Sequence, residues 1–409
     1  MRVNGALWTT WTAAPHRVMF LGGALQLVLS LLFWSAELLA RQAGTTLGSS
    51  AVPLTQLHAF QMLFGVFPFF LFGFLMTTYP RWMDGPPVPR GHVLAAFLPM
   101  ALGVLLAYLA PWAGRAAWAL GALLLLAGFV AGSLALWRVY RLAPATDKHY
   151  ERHLNTVLVA AQLAQLAFLG WLLSGAGWAL GAAQAVGLWL FLVPLLLVVG
   201  HRMIPYFSSS VLAGYRVVQP RWSLPLAWLA VSGHAACDLL GWPAWRGLPD
   251  ALLLAVALQL TLAWRLRASL QVRLLGVLHL AFAGLALGMA LYLLQDLAWL
   301  AGEAWLLGRA PLHALGIGFV AAMVVAMASR VSLGHSGRAL ELDRYGWYCF
   351  LGVELALLLR VLAEMPWPLA WLRDGLTLLA ALAWLVALGA WTARFAPIYL
   401  RPRVDGRAG

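Results

Sequence analysis

Trp178-Ala-Leu-Gly-Ala-Ala-Gln-Ala-Val-Gly-Leu-Trp-Leu-Phe-Leu-Val-Pro194-Leu-Leu-Leu-Val-Val-Gly200 runs without a single charged side chain, and His201-Arg202 follow at once. Crossing the hydrocarbon of a bilayer takes roughly 20 apolar residues in a helix. The stretch meets that length and reads as one membrane span near 178–199. The same ruler, moved towards the N-terminus, finds spans near 18–39, 57–79, 92–110, 114–137 and 153–174. Towards the C-terminus it finds 223–241, 248–266, 274–296, 312–330, 345–363 and 371–395. Pro111, Gly175, Gly241-Trp242-Pro243 and Pro366-Trp367-Pro368 mark tight joins. The fold expected is therefore all-α: a polytopic bundle of about twelve transmembrane helices forming a single membrane domain over residues 1–409.

Arginine fixes the orientation, because cytoplasmic loops collect basic residues. With the N-terminus inside, the cytoplasmic stretches hold Arg2, Arg17, Arg81, Arg90, Arg138, Arg141, Lys148 and Arg152. They continue with Arg202, Arg216, Arg221, Arg265, Arg267, Arg273, Arg330, Arg338 and Arg344, and the tail adds Arg394, Arg401, Arg403 and Arg407. Only Arg41, Arg115, Arg246, Arg309 and Arg373 fall outside, and Arg360 lies within a span. A miscounted helix would scramble this alternation. Both termini are expected in the cytoplasm.

Composition excludes the main soluble classes. Of 409 residues, 63% are hydrophobic and 10% charged, with a mean hydropathy of +0.83. A soluble domain carries about 25% charged residues. The net charge of +13 is spread singly along loops, whereas nucleic-acid surfaces gather theirs on one face; no nucleic-acid partner is expected. Cys237 and Cys349 both lie in apolar stretches, unpaired in spacing, and read as small packing residues. The N-terminal run to Arg17 leads into a full-length span and does not read as a cleavable signal. Trp34, Trp82, Trp112, Trp178, Trp222 and Trp367 fall near span ends, as interfacial belt residues do. Neither a nucleotide loop nor a hydrolase motif is present.

Ionisable groups are so scarce that each one within a span is a functional candidate. His58 opens the second span and His313 the tenth, both at the outer end. Two neutral imidazoles at matching depth on separate helices suit bis-histidine haem ligation; they equally suit interfacial histidines hydrogen-bonded to loops. Glu37 and Asp296 lie at similar depth and have the chemistry to orient a ligating imidazole. On the inner side, His201, His279 and His335, with Arg202, Arg330 and Arg338, suit a metal site, an anion or propionate site, or the cytoplasmic rim. His16, His92, His149 and His153 read as ordinary loop residues of that rim. His234 and Asp238 stand four apart on one helical face, and Glu354 sits near the middle of the eleventh span. All three suit a proton relay as well as structural hydrogen bonding.

Several blocks then converge on one family. His313-Ala-Leu-Gly-Ile-Gly318, continuing to Met327-Ala-Ser-Arg330-Val-Ser-Leu-Gly-His335-Ser-Gly-Arg338, resembles the HALTxG…MxxRxxLGHTGR block of the NnrS family. His58-Ala-Phe-Gln-Met62-Leu-Phe-Gly65 and Gly73-Phe74-Leu75-Met-Thr77 resemble its H-x-H-E-M-x-x-G…GFLLT block, with Pro80-Arg-Trp82 and Pro86-Pro87 following. Gly200-His-Arg202-Met-Ile-Pro205-Tyr-Phe207-Ser208 is similar to its GxRxIPxFT, and Leu278-His279-Leu280 to its LH step. The resemblance implies a twelve-helix protein of the bacterial inner membrane that binds haem, of the b type, and copper, in the response to nitric oxide and in denitrification. His58, His279, His313 and His335 are the family histidines retained, and Arg338 belongs to the same block. Phe60 and Gln61 replace a second histidine and a glutamate, which removes two ligands and puts full metal content in doubt. His201 occupies a variable position. A looser likeness ties the His58 helix to the low-spin haem helix of haem-copper oxidases, whose copper-site spacing is absent.

Two functions from different classes follow. The first is a haem protein that binds nitric oxide or another diatomic ligand, or passes electrons to an unidentified redox partner, with an oxidoreductase acting on nitric oxide as its enzymatic form. Here His58 and His313 hold haem; His201, His279 and His335 form the second site; Glu354, His234, Asp238 and Glu37 are the candidates for moving protons. The second is a cofactor-free, proton-coupled transporter or channel using Glu354 and His234, with Pro194 and the Gly316/Gly318 pair as helix interruptions.

Overall fold

The computed structural model describes residues 2–49 and 52–407, with side chains from residue 7 onward. Arg2, counted above among the cytoplasmic cations, therefore has its side chain outside the described residues. Eleven helices among the described residues are long and apolar enough to cross a membrane. After a short helix α1 (Arg2–Trp11) come α2 (Pro15–Gln42), α3 (Leu54–Trp82), α4 (Arg90–Leu142), α5 (His149–Ser174) and α6 (Gly177–Val211). Then follow α7 (Ser223–Leu240), α8 (Gly247–Ala263), α9 (Arg273–Leu300), α10 (Ala310–His335), α11 (Arg344–Leu362) and α12 (Ala370–Leu400).

The difference between eleven helices and twelve spans lies wholly in α4. Its 53 residues are broken at Gly114, whose φ of 82° and ψ of 179° belong to no helix. Only glycine takes that conformation without steric cost, and Pro111 just ahead removes a helical donor. The two halves then return along each other: a Cβ on Gly103 would lie 2.5 Å from the carbonyl oxygen of Gly121. The two expected spans, 92–110 and 114–137, are the arms of this hairpin.

Proline and asparagine-family residues set other helix ends. Pro15 stands in the first turn of α2, where its missing donor costs nothing. Asp343 caps α11 by accepting from the Gly346 amide at 2.8 Å. Leu98, Leu102, Leu105 and Leu109 of α4 are exposed at helical spacing, the face a lipid-contacting span presents. The most apolar windows of α3, α6, α10 and α9 are instead 83%, 78%, 78% and 72% buried, against 33–50% for the other spans. These four are the protein-enclosed spans, and they carry His58, His201, His313 and His279.

Three enclosed spans contain π-helical stretches: Gln61–Val66 in α3, Val186–Leu192 in α6 and Ala314–Ala321 in α10. In α3 and α6 a proline, Pro68 or Pro194, follows within two residues. A proline ring clashes with the carbonyl four residues back and offers no amide hydrogen, and a wider turn ahead of it relieves both problems. Such bulges occur often at functional sites.

The helices cluster in two compact units. The first comprises residues 1–188, 331–339 and 391–409, the second 189–330 and 340–390. In the first, Phe60, Phe64, Trp118, Phe168 and Trp171 form an aromatic cluster with ring centroids 4.7–6.4 Å apart. In the second, Trp264 packs on Phe282, which reaches Phe319. Cys237 and Cys349 are buried and unbridged.

Candidate functional site

In the first unit His58 lies on the last α-helical turn before the π stretch of α3. Its ring stacks on Trp34 at 4.4 Å with an interplanar angle of 13°, and the Arg41 guanidinium lies over the Trp34 ring at 5.0 Å. Trp34 thus packs against a histidine as well as standing near a span end. Glu37, at similar depth, anchors the loop that follows α2. It accepts from Arg41 Nε at 2.6 Å, Thr46 Oγ1 at 3.0 Å and the Leu47 amide at 2.9 Å.

Phe60, where the family has histidine, is 1% exposed within the aromatic cluster. Gln61, where the family has glutamate, is buried inside the π stretch, and neither its Oε1 nor its Nε2 has a hydrogen-bond partner among the described residues. A buried, unsatisfied amide is costly and is what a missing ligand or water leaves behind.

At the inner end of the same unit, His335 faces His16, with ring centroids 4.8 Å apart. His16 is no loop residue: it is 3% exposed in the first turn of α2 and donates its backbone amide to Thr77 Oγ1 at 3.2 Å. Arg17 beside it donates to the carbonyls of Tyr399 at 3.3 Å and Arg401 at 2.7 Å. Arg403 binds the His335 carbonyl at 3.0 Å and pairs with Asp405 at 2.6 Å, holding that carboxyl well below the usual carboxylate range. Arg338 Nη1 is buried without a hydrogen-bond partner among the described residues.

In the second unit His313 lies on the last α-helical turn before the π stretch of α10. Its Nδ1 donates to the Arg309 carbonyl at 2.9 Å. That bond sets the tautomer and leaves the lone pair on Nε2, the form a metal-ligating histidine takes. The Arg309 amide donates to Glu364 Oε2 at 3.1 Å, and Glu364 pairs with Arg360. Arg360, charged inside a span, therefore has its counter-ion one helical turn away.

His279 Nε2 meets Ser208 Oγ at 3.0 Å, and His201 Nε2 meets Ser223 Oγ at 2.9 Å. Each serine hydroxyl already donates to a carbonyl, Ile204 or Pro220, so each accepts from its histidine. Arg330 covers the Phe207 ring at 3.8 Å. No group of three or more His, Cys, Asp or Glu side chains able to hold a metal ion occurs among the described residues. Of the expected second site, His201 and His279 are each anchored by a serine, and His335 faces His16 in the other unit.

His234 and Asp238 do contact each other, at 3.4 Å, within a larger network that sequence reading missed. His234 Nδ1 lies 2.5 Å from Asp250 Oδ1, and Arg246 binds both Asp238 at 3.2 Å and Asp296 at 2.7 Å. Asp296 therefore serves Arg246 and not a ligating imidazole. Asp250 is an acid inside the apolar span 248–266, the very signal that singled out Glu354. Glu354 Oε1 is buried without a hydrogen-bond partner among the described residues.

No curated protein matches the chain. The family profile of the NnrS protein matches residues 10–403, nearly its full length. A helical membrane protein with the family's histidine and arginine blocks in order, and matched end to end by the family profile, belongs to the NnrS family.

Proposed function

We propose that this chain is a haem-binding protein of the bacterial inner membrane that acts in the response to nitric oxide, with His58 and His313 as the residues that hold haem. One observation carries this reading: each of these two histidines stands on the last α-helical turn before a π-helical stretch. A π turn re-aims the side chains around it and is retained in proteins mainly where function needs it. Family membership supports the nitric oxide setting.

Each unit has residues whose chemistry suits a prosthetic group. His313 is fixed by Arg309 in the ligating tautomer. Gln61 keeps two unsatisfied amide atoms, and Arg338 Nη1 suits an anionic substituent. When bound, haem would supply an iron with affinity for nitric oxide and for an electron. The protein's part is to hold and shield. Trp34 fixes the plane of the His58 ring, and the Phe60–Phe168 cluster keeps water from the apolar side of α3. Copper takes no part in this proposal, since no ligand group for it occurs among the described residues.

His58→Ala and His313→Ala test the assignment. Each is expected to abolish the haem Soret band of the purified protein; an unchanged spectrum in both would refute it. Glu354 favours a second reading, a cofactor-free proton-coupled transporter, because an unsatisfied carboxyl inside a span is a natural carrier of protons. That protein would be purified colourless from haem-replete cells.

A further inference from the structure

The second unit holds a buried ionic cluster that the haem reading does not use. It brings together His234 and Asp238 of α7, Arg246 of the turn before α8, Asp250 of α8 and Asp296 of α9. The arginine distribution assigns these ends of the helices to the outer side of the membrane. Asp250 is 0% exposed, His234 1% and Asp296 2%, whereas the Asp238 side chain is 31% exposed. The cluster therefore opens at Asp238 and, less, at Arg246, whose side chain is 22% exposed, while His234, Asp250 and Asp296 are closed off.

Charge counting shows what is missing. Three carboxylates face one guanidinium and one imidazole. With His234 neutral the sum is two negative charges, and a proton on the imidazole still leaves one; in a low-dielectric site an uncompensated charge is strongly unfavourable. One further proton makes the cluster neutral. A place for it exists: Asp250 Oδ2 and Asp296 Oδ2 are both buried and without a hydrogen-bond partner among the described residues. Asp296 lies within side-chain hydrogen-bonding range of Asp250. A proton shared between these two acids satisfies both oxygens at once.

The access route is equally defined. His234 faces Asp238 through Nε2 at 3.4 Å and Asp250 through Nδ1 at 2.5 Å. An imidazole can gain a proton on one nitrogen and release one from the other, so it connects exposed Asp238 to buried Asp250. Trp189, from the π stretch of α6, stacks on His234 at 3.7 Å, and Tyr292 of α9 meets the ring edge-on at 5.3 Å. These two rings hold the imidazole in the bridging orientation. Cys237 of α7 and Tyr292 are further ionisable neighbours, and Arg246 is the cation that pairs with the cluster's carboxylates.

We propose that Asp250 and Asp296 form a proton-binding site, filled from the outer side through Asp238 and His234, that holds one exchangeable proton at neutral pH. The transfer is a relay without redox change. Starting from the neutral ring with its proton on Nδ1, a proton from water binds Asp238, His234 takes it on Nε2 and gives the Nδ1 proton to Asp250, and release runs the same path backwards. This site goes beyond haem binding and does not depend on it, so loss of the haem assignment would leave it standing.

Infrared spectroscopy of the protein in lipid nanodiscs tests it directly. Glu354→Gln serves as the background, because Glu354 is a second unsatisfied carboxyl. The C=O stretch of a protonated carboxyl is expected at about pH 7, some three units above the usual aspartate range. It should shift in D2O, disappear in Asp250→Asn, and persist but exchange more slowly in Asp238→Asn and His234→Gln. Absence of the band before any aspartate is changed would overturn the proposal without relying on a variant's folding. So would a band that survives Asp250→Asn, or one that exchanges equally fast without Asp238 and His234.

Discussion

His313 donates from Nδ1 to the carbonyl oxygen of Arg309, 2.9 Å away, on the turn that precedes the π stretch of α10. The Arg309 peptide is held at its other end by Glu364, whose second oxygen pairs with Arg360. The orientation of a candidate haem ligand is thus set by an ion pair between Arg360, in the last turn of α11, and Glu364 just beyond it, which never touches it.

Removing Glu364 should therefore weaken haem binding at a distance. Groups that orient a ligating histidine are worth 10- to 100-fold in affinity. Glu364→Ala is expected to lower haem affinity about tenfold, and Glu364→Gln, which keeps an acceptor for the Arg309 amide, to restore most of it. Haem titration of the ligand-free protein measures this. Equal affinity in all three proteins would mean that Arg309 does not position His313.

Gln61 offers a test of opposite sign. Its buried amide is unsatisfied among the described residues, and a buried unsatisfied polar group costs about 1–3 kcal/mol. Gln61→Leu should raise the thermal midpoint of the ligand-free protein, read by differential scanning fluorimetry. A lower midpoint would show that water or a ligand already pairs with the amide.

The C-terminal tail is pinned by Arg403 to the His335 carbonyl and by the Val404 amide to Ser336 at 3.1 Å. The hydrogen bond from Arg403 holds the Asp405 carboxyl below its ordinary value. A depressed carboxylate contributes stability that is present above its unfolded pKa, near 3.9, and is lost as pH falls through the folded value. Protease cleavage of the tail should accordingly be constant between about pH 5 and 8. Asp405→Asn should speed it a few-fold at neutral pH, in keeping with an exposed ion pair. A wild-type rate that climbs already at pH 6 would contradict this.

Gly114 is the hinge of the α4 hairpin at φ 82°. Gly114→Ala places a Cβ in a sparsely populated region at a cost of about 1–3 kcal/mol. The thermal midpoint should fall, and an unchanged value would mean that the hairpin turns elsewhere.

The spans were legible because bilayer thickness imposes a length that composition alone reveals, and Pro111 placed the join within α4, whose break the structure puts at Gly114. The π stretches were not legible. In Gln61–Val66 or Ala314–Ala321 nearly every position is apolar, so no pattern distinguishes 3.6 residues per turn from a wider one. His58 and His313 stood out because polar side chains are rare at such positions. Glu37 shows the limit of that logic: its depth matched the histidine, yet its partners were Arg41, Thr46 and Leu47 in the adjoining loop. Asp250 stands within the span 248–266 and carries the same signal as Glu354, but its pairing with His234 joins residues 16 apart on different helices, which no sequence pattern shows. His16 likewise gave no sign in sequence that it would meet His335.

The central claim is that the protein carries haem. The most direct measurement is the reduced-minus-oxidised visible spectrum of the detergent-purified protein from haem-replete cells, with iron counted on the same sample. Soret and alpha bands with stoichiometric iron are predicted. A colourless, iron-free protein would contradict the account and turn attention to Glu354 and proton-coupled transport.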